Sequence, residues 1–125
     1  MIYGVGIDIV DVTRIERALE RWGDRFLRRI FTKSEMAYCR GKAKSAARFA
    51  LRFAAKEAFL KALGLGLREG LSFRHIEVVN TLGGQPGLHL YRRARELCEE
   101  KGVKKSFLSL SDDGLNAIAI VVLER

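Results

Sequence analysis

The chain has 125 residues, of which 48% are hydrophobic, with 23 Lys and Arg against 15 Asp and Glu for a formal charge of +8. That is the size and composition of one domain able to fill a core, and no run of 18 or more apolar residues offers a membrane-spanning helix. The positive field favours anionic partners without choosing among nucleic acid, anionic membrane, phosphorylated cofactors and acidic proteins.

Ile2 to Val10 reads as a strand. Tyr3, Val5, Ile7 and Ile9 share one face, and Gly4, Gly6 and Asp8 share the other. Glycine inside a strand marks close approach by another group, so Asp8 is expected to end the strand on a bare face suited to a ligand. This opening has no basic start and meets Asp8 early, unlike a signal peptide, which points to the cytoplasm. Thr13-Arg-Ile-Glu16 has the pattern of a capping box, opening a helix with the apolar stripe Ile15, Leu19, Trp22 and Phe26, with Gly23 as a point of interruption. If that helix continues past Gly23, Arg14, Arg17, Arg21, Arg25 and Arg28 fall within an arc of about 80°. Glu16, Glu20 and Asp24 lie off that arc, so pairing at i,i+4 does not account for the stripe.

A second capping box, Thr32-Lys-Ser-Glu35, starts a short helix to roughly Arg40, and the basic, small residues 40–45 read as a loop. Cys39 and Cys98 stand far apart with no CxxC, as free thiols in a reducing compartment would, and zinc spacing is lacking. The central helix, from about Ala46 to Leu63 with Gly64 as its cap, is apolar nearly all round and is therefore expected to be buried. Its polar residues need explaining. Arg48, Arg52 and Lys56 form one stripe, and Glu57 and Lys61 another. On an ordinary solvated face Glu57 and Lys61 would be a plain i,i+4 ion pair. Here little solvated face remains, and a buried carboxylate needs a cation or metal. Asp8, from another element, could join Glu57 in holding Mg²⁺, a hard cation that takes one or two carboxylates and completes its shell with water and phosphate. The competing reading of Asp8 is a loop or capping carboxylate.

Strands follow at Ile76–Asn80 and Leu88–Tyr91 around a Gly83-Gly84 turn, then a helix from about Arg92 to Gly102. Phe107–Ser111 and Asn116–Glu124 form a last hairpin through Asp113-Gly114. His75 and His89 sit near predicted strands, as structural histidines do. No repeat or linker is present, so residues 1–125 are read as one α+β domain with a mostly antiparallel sheet packed on a long buried helix.

Three blocks carry a resemblance: GIDIVDVTRIE at Gly6–Glu16, RFAAKEAFLKALG at Arg52–Gly64, and SLSDDGLNAIAIVVLE at Ser109–Glu124. In order and over nearly the whole chain, they are similar to the signature blocks of the holo-acyl-carrier-protein synthase family of 4′-phosphopantetheinyl transferases. The resemblance implies that fold and an enzyme moving phosphopantetheine from coenzyme A to a carrier-protein serine, in support of fatty acid biosynthesis. It implies Asp8 and Glu57 as Mg²⁺ ligands, Lys61 as an active-site lysine, and Glu57, or a metal-held water that it orients, as the base. Lys44, Arg48, Arg52 and Lys56 fall on basic positions of its coenzyme A site, and Pro86, Ser109, Ser111 and Asp112 are assigned there too. The arginine stripe is implied as the docking face for the acidic acyl carrier protein. Homotrimers with active sites between subunits are implied as well. One position departs from the family pattern, because Asp112 stands where Ser-x-Ser is commonly followed by His, and an acid there would repel phosphate. A catalytically weakened coenzyme A-binding relative is therefore one rival reading. A nucleic-acid-binding module is another, but it rests on charge alone and lacks any recognition motif.

Overall fold

The computed structural model describes residues 1–125. Its elements run β1 (Ile2–Asp11), α1 (Val12–Trp22), α2 (Asp24–Ile30), α3 (Lys33–Arg40), α4 (Ser45–Leu63), a 3₁₀ turn (Phe73–His75), β2 (Ile76–Asn80), β3 (Pro86–Leu90), α5 (Arg92–Glu100), β4 (Lys105–Asp112) and β5 (Asn116–Glu124). The α+β reading holds, but the strands divide into two antiparallel sheets, β1-β5-β4 and β2-β3. No helix is long and apolar enough to cross a membrane.

α4 is the core of the molecule. Phe49, Ala50, Ala54, Ala55, Ala58 and Phe59 are all buried, and the helix ends at Gly64 in the left-handed conformation, φ 85°. It lies on the inner face of the three-stranded sheet, and the two glycines of β1 make that contact possible. A Cβ on Gly6 would stand 1.9 Å from the Ala58 carbonyl oxygen, and one on Gly4 would stand 2.0 Å from that of Ala62. The bare face of β1 is therefore filled by the backbone of α4, which corrects the expectation that it was kept open for a ligand. Nor does Asp8 end the strand, which runs on to Asp11. Gly6→Ala forces the helix off the sheet, and urea unfolding should show a loss of about 3 kcal/mol or more. An unchanged midpoint would mean that the helix can slide at no cost.

The first helix starts otherwise than its local pattern suggests. Asp11 is the N-cap, accepting the Thr13 N–H at 2.8 Å, so Thr13-Arg-Ile-Glu16 is not a capping box. Asp11 wins because β1 delivers it in extended conformation (φ −73°, ψ 119°), the geometry a cap needs. Gly23, at φ 54° and ψ −131°, breaks the helix and starts α2. Arg25 and Arg28 thus sit on a different helix from Arg14, Arg17 and Arg21, and the single arc does not exist. The second box does form: Thr32 Oγ1 accepts the Glu35 N–H and Glu35 Oε1 accepts the Thr32 N–H.

The outer face of the three-stranded sheet is apolar and open. Pairing sets Val5 beside Val122 beside Phe107, Ile7 beside Ile120 beside Ser109, and Ile9 beside Ile118 beside Ser111. Ile7 and Ile9 are 59% and 62% exposed, which leaves this face without a partner inside the chain.

Candidate active site

Beyond Gly4 and Gly6, the next inward residue of β1 is Asp8, and α4 presents Glu57 and Lys61 to it. The Lys61 ammonium donates to Asp8 Oδ1 at 2.9 Å and to the Ile7 carbonyl at 3.0 Å. Asp8 keeps 16% of its side chain exposed and Lys61 keeps 55%, so the pair lies at a surface that solutes can reach. Glu57 is half-buried. Burial first, and then the negative charge of Asp8, push its carboxyl above the usual range, while Lys61 and Arg14 pull it back. Asp8, Glu57, Lys61 and Arg14 therefore act on one another electrostatically at one spot.

The two carboxylates fit a hard divalent cation. Their mutual repulsion is what such an ion relieves, and both offer oxygen donors. No third acid, His or Cys completes a protein cage, so water and substrate phosphate would supply the other positions of a Mg²⁺ shell.

The remaining cofactor positions divide into three places. Arg48 and Arg52 leave α4 on the side opposite Glu57 and Lys61, about 180° round the helix, toward Tyr38 of α3. Arg52 is 5% exposed, its guanidinium carbon lies 4.2 Å from the Tyr38 ring centroid, and its Nε is buried with no hydrogen-bond partner. Lys42 stands on the same ring at 4.9 Å. Lys44 holds the N-terminus of α4 in a left-handed conformation, φ 56°. Lys42, Arg48 and Arg52 thus gather around Tyr38 without a carboxylate partner, the donor set with which an anion can pair.

Lys56 departs from its expected role. It has no exposure, and its three N–H donors go to Glu35 Oε1 at 2.7 Å, the Ile30 carbonyl at 2.7 Å and the Phe73 carbonyl at 3.0 Å. No donor is left for a phosphate. Lys56 is a core residue and is withdrawn from the cofactor positions.

Pro86 and Ser109 line one small cavity of about 290 Å³ with Gln85, Leu108 and Leu110. Ser111 faces outward beside Ile118, away from the inner face that carries Asp8. Asp112 ends β4, and its Oδ2 accepts the Gly114 N–H at 3.0 Å, which commits the carboxylate to the hairpin turn. Within one chain none of these four residues is hydrogen-bonded to Asp8 or Glu57, and Ser109 and Ser111 face the opposite side of the sheet. A wider cavity of about 660 Å³, lined by Glu77, His75 and Tyr91 among others, contains none of the candidate site residues.

Of the arginines, Arg28 pairs with Asp24 at 3.5 Å, so part of the supposed unpaired stripe is an ordinary i,i+4 pair. Arg40 also contacts Asp24. Arg25 lines a cavity of about 430 Å³ with Trp22, Phe26 and Arg29 at the joint between α1 and α2. Two residues escaped the sequence reading, Tyr38 and Lys42. Their four-residue spacing was the available signal.

Residues 4–121 match the family model of the 4′-phosphopantetheinyl transferase superfamily, so the fold and site define an enzyme of the phosphopantetheinyl transferase class. The holo-[acyl-carrier-protein] synthase of Geobacter metallireducens is 58% identical over 125 residues, covering 100% of this chain and 99% of its own. Among solved structures, holo-[acyl-carrier-protein] synthase from Neisseria meningitidis superposes with a TM-score of 0.93 at 39% identity, covering 100% of both chains. The Helicobacter pylori enzyme in complex with coenzyme A gives 0.82 at 35%, covering 96% of this chain and 99% of that one. The chain belongs to the superfamily and, within it, to the holo-acyl-carrier-protein synthase family.

Proposed function

We propose that the protein transfers 4′-phosphopantetheine from coenzyme A to a serine of an acidic acyl carrier protein, with Mg²⁺, in support of fatty acid synthesis. The observation that carries this is the meeting of Asp8, Glu57 and Lys61 in the fold of a relative solved with coenzyme A. The serine oxygen attacks the phosphorus that bears the pantetheine arm, and the anhydride bond breaks. Its electron pair leaves with adenosine 3′,5′-bisphosphate. Glu57 takes the serine proton, directly or through one water. The Lys61 ammonium stabilises charge growing on the transferring phosphate. Asp8 orients Lys61. Mg²⁺ held by Asp8 and Glu57 would neutralise charge on the diphosphate oxygens. Arg48, Arg52 and Lys44 serve the remaining phosphate charge of coenzyme A. Chromatography should detect adenosine 3′,5′-bisphosphate only when coenzyme A and an apo-carrier are both present. Release without the carrier would make the protein a hydrolase instead.

We propose that the protein is a homotrimer because the family resemblance implies one, and two observations fit an interface between copies. The outer sheet face is apolar and open, with Phe107 53% exposed at the edge strand. Ser109 and Ser111 turn outward, away from Asp8 in their own chain, so a second copy packed on that face could bring them, and Pro86 beside Ser109, to a neighbour's Asp8 and Glu57. The cytoplasm suits the two buried thiols, Cys39 and Cys98, whose pKa values burial pushes up to about 11, leaving them unreactive.

The carrier docks on α1 and α2, where arginines flank an apolar notch between Trp22 and Phe26. Arg14 also acts on Glu57, so Arg17 and Arg21 give the cleaner test. The Arg17→Glu/Arg21→Glu variant should raise KM for the carrier more than tenfold and flatten its salt dependence, because such contacts mainly steer encounter and are screened within roughly 8 Å. KM for coenzyme A should stay put. The opposite pattern would move the stripe to the cofactor.

A further inference from the structure

The anion site at the start of α4 contains a residue that none of the foregoing roles covers. Tyr38 is half-buried on α3. Its ring carries Arg52 at 4.2 Å and Lys42 at 4.9 Å, and Arg48 lies close enough to act on its hydroxyl. Like charges packed this closely repel, and no carboxylate pairs with Lys42, Arg48 or Arg52. Glu35, the nearby buried acid, is taken by Lys56 at 2.7 Å. The negative face of an aromatic ring is the remaining attraction available to such cations. Arg52 shows how much the arrangement depends on it. At 5% exposure and with its Nε sealed without an acceptor, its guanidinium has lost much of its hydration, and the Tyr38 ring replaces part of it. The Asn80 side chain at the end of β2 in turn favours the ionised form of the Tyr38 hydroxyl, and the neighbouring cations do the same against burial. The ring thus supports side chains from α4 and from the loop after α3.

We propose that Tyr38 is a positioning residue of the coenzyme A site: its ring holds the Arg52 guanidinium and the Lys42 ammonium in place, so that the cations are arranged before the cofactor's phosphates arrive. Tyr38 itself touches no reacting atom. A cation held beforehand loses less freedom when a phosphate binds, so the benefit is in binding and not in the chemical step. Lys42 thereby becomes a cation of this site as well. The inference rests on the reading of the Arg48–Arg52 cluster as a phosphate site, and the experiment separates the two.

Steady-state constants for coenzyme A and carrier are measured for the full-length enzyme and for Arg48→Ala, Lys42→Ala, Tyr38→Leu and Tyr38→Phe, with thermal midpoints recorded for each. Arg48 and Lys42 are exposed, so their variants fold and test the site without the core. Arg48→Ala should raise KM for coenzyme A by several-fold, and Tyr38→Leu by about tenfold. In both, kcat should stay within about threefold and KM for the carrier should not move. Tyr38→Phe, which keeps the ring face, should restore KM to within about twofold of the parent. Lys42→Ala should raise KM about threefold in the parent and little further in Tyr38→Leu. If Arg48→Ala leaves KM for coenzyme A unchanged, the phosphates bind elsewhere and the reading of the cluster falls. If Arg48→Ala raises it while Tyr38→Leu does not, the cluster stands and the role of Tyr38 is refuted. A Phe variant as impaired as Leu would also refute it, since the hydroxyl and not the ring would then matter. Should Tyr38→Leu fail to fold, the Lys42→Ala and Tyr38→Phe constants decide alone: an unchanged KM in Lys42→Ala, or a Phe variant impaired about tenfold, overturns the proposal.

Discussion

Asp8→Ala and Glu57→Gln each lower the rate of transfer by about 10²–10³-fold with the fold intact. Folding does not depend on these carboxylates. The Asp8–Lys61 pair is at a surface, with Lys61 55% exposed, where ion pairs contribute roughly 0–1 kcal/mol. Glu57 and Asp8 repel each other, so neutralising one relieves strain in the charge distribution. The double variant should be hardly slower than either single one, because both side chains serve one cation, and groups that act as a unit do not add. The titration of Glu57 supplies an independent check. Burial and the charge of Asp8 raise its pKa in the metal-free protein, so NMR titration without Mg²⁺ should find it above the value of an ordinary glutamate, about 4.3. Asp8→Asn removes the neighbouring negative charge, so its Glu57 should titrate at lower pH, and Mg²⁺ bound to the parent should lower it as well. A Glu57 that titrates at the same pH in both proteins would mean that the two carboxylates do not meet. Near-normal rates in either single variant would remove the metal assignment.

Glu35→Gln destabilises the fold by about 3–5 kcal/mol, as expected when one partner of a buried pair is removed and the other is left charged. Lys56 and Glu35 are buried completely. Glu35 accepts from Lys56 and from the Thr32 N–H through Oε1, and from the Val78 N–H at 2.8 Å through Oε2. Lys56 also binds the Ile30 and Phe73 carbonyls. Four backbone groups meet on these two side chains, and burial holds the Lys56 pKa down even with Glu35 beside it. A loss of this size is a large share of a total stability of about 5–15 kcal/mol, and the thermal midpoint should fall by roughly 10–20 °C. Lys56→Met should do similar harm, whereas Glu35→Leu/Lys56→Met should cost far less than the sum of its parts. At low temperature the folded fraction of Lys56→Met should keep its KM for coenzyme A. A raised KM there would return Lys56 to the cofactor site.

These two residues also show where a sequence stops being readable. That α4 would be buried followed from its composition, since a helix apolar on every side has nowhere else to go, and its closure at Gly64 and the Thr32 capping box are local chemistry. The position of Lys56 is not local. Its place in the motif associated it with phosphate, but its counterion is Glu35, 21 residues earlier, and only the packing of α3 on α4 brings them together. Gly4 and Gly6 announced a close approach without saying of what, and the group proved to be the backbone of α4. At Thr13 two local signals competed, and Asp11 prevailed because of the strand before it. The site was legible in part for the same reason. Asp8, Glu57 and Lys61 sit on two elements whose facing sides follow from periodicity, and they meet. Ser109 and Ser111 follow the same period-two rule, but their face depends on the register of β4 against β5. That register turns them outward, toward whatever covers the sheet.

Weighing the carrier tests the central claim most directly. The protein is incubated with coenzyme A, Mg²⁺ and an apo-acyl carrier protein, and the carrier's mass is followed over time beside a parallel sample containing Glu57→Gln. The carrier should gain one phosphopantetheine on its serine with the parent enzyme, fail to do so when Mg²⁺ is withheld, and gain it at least a hundredfold more slowly with the variant. A folded parent enzyme that binds coenzyme A yet leaves the carrier's mass unchanged, or a Glu57→Gln variant that converts it as fast as the parent, would contradict the account.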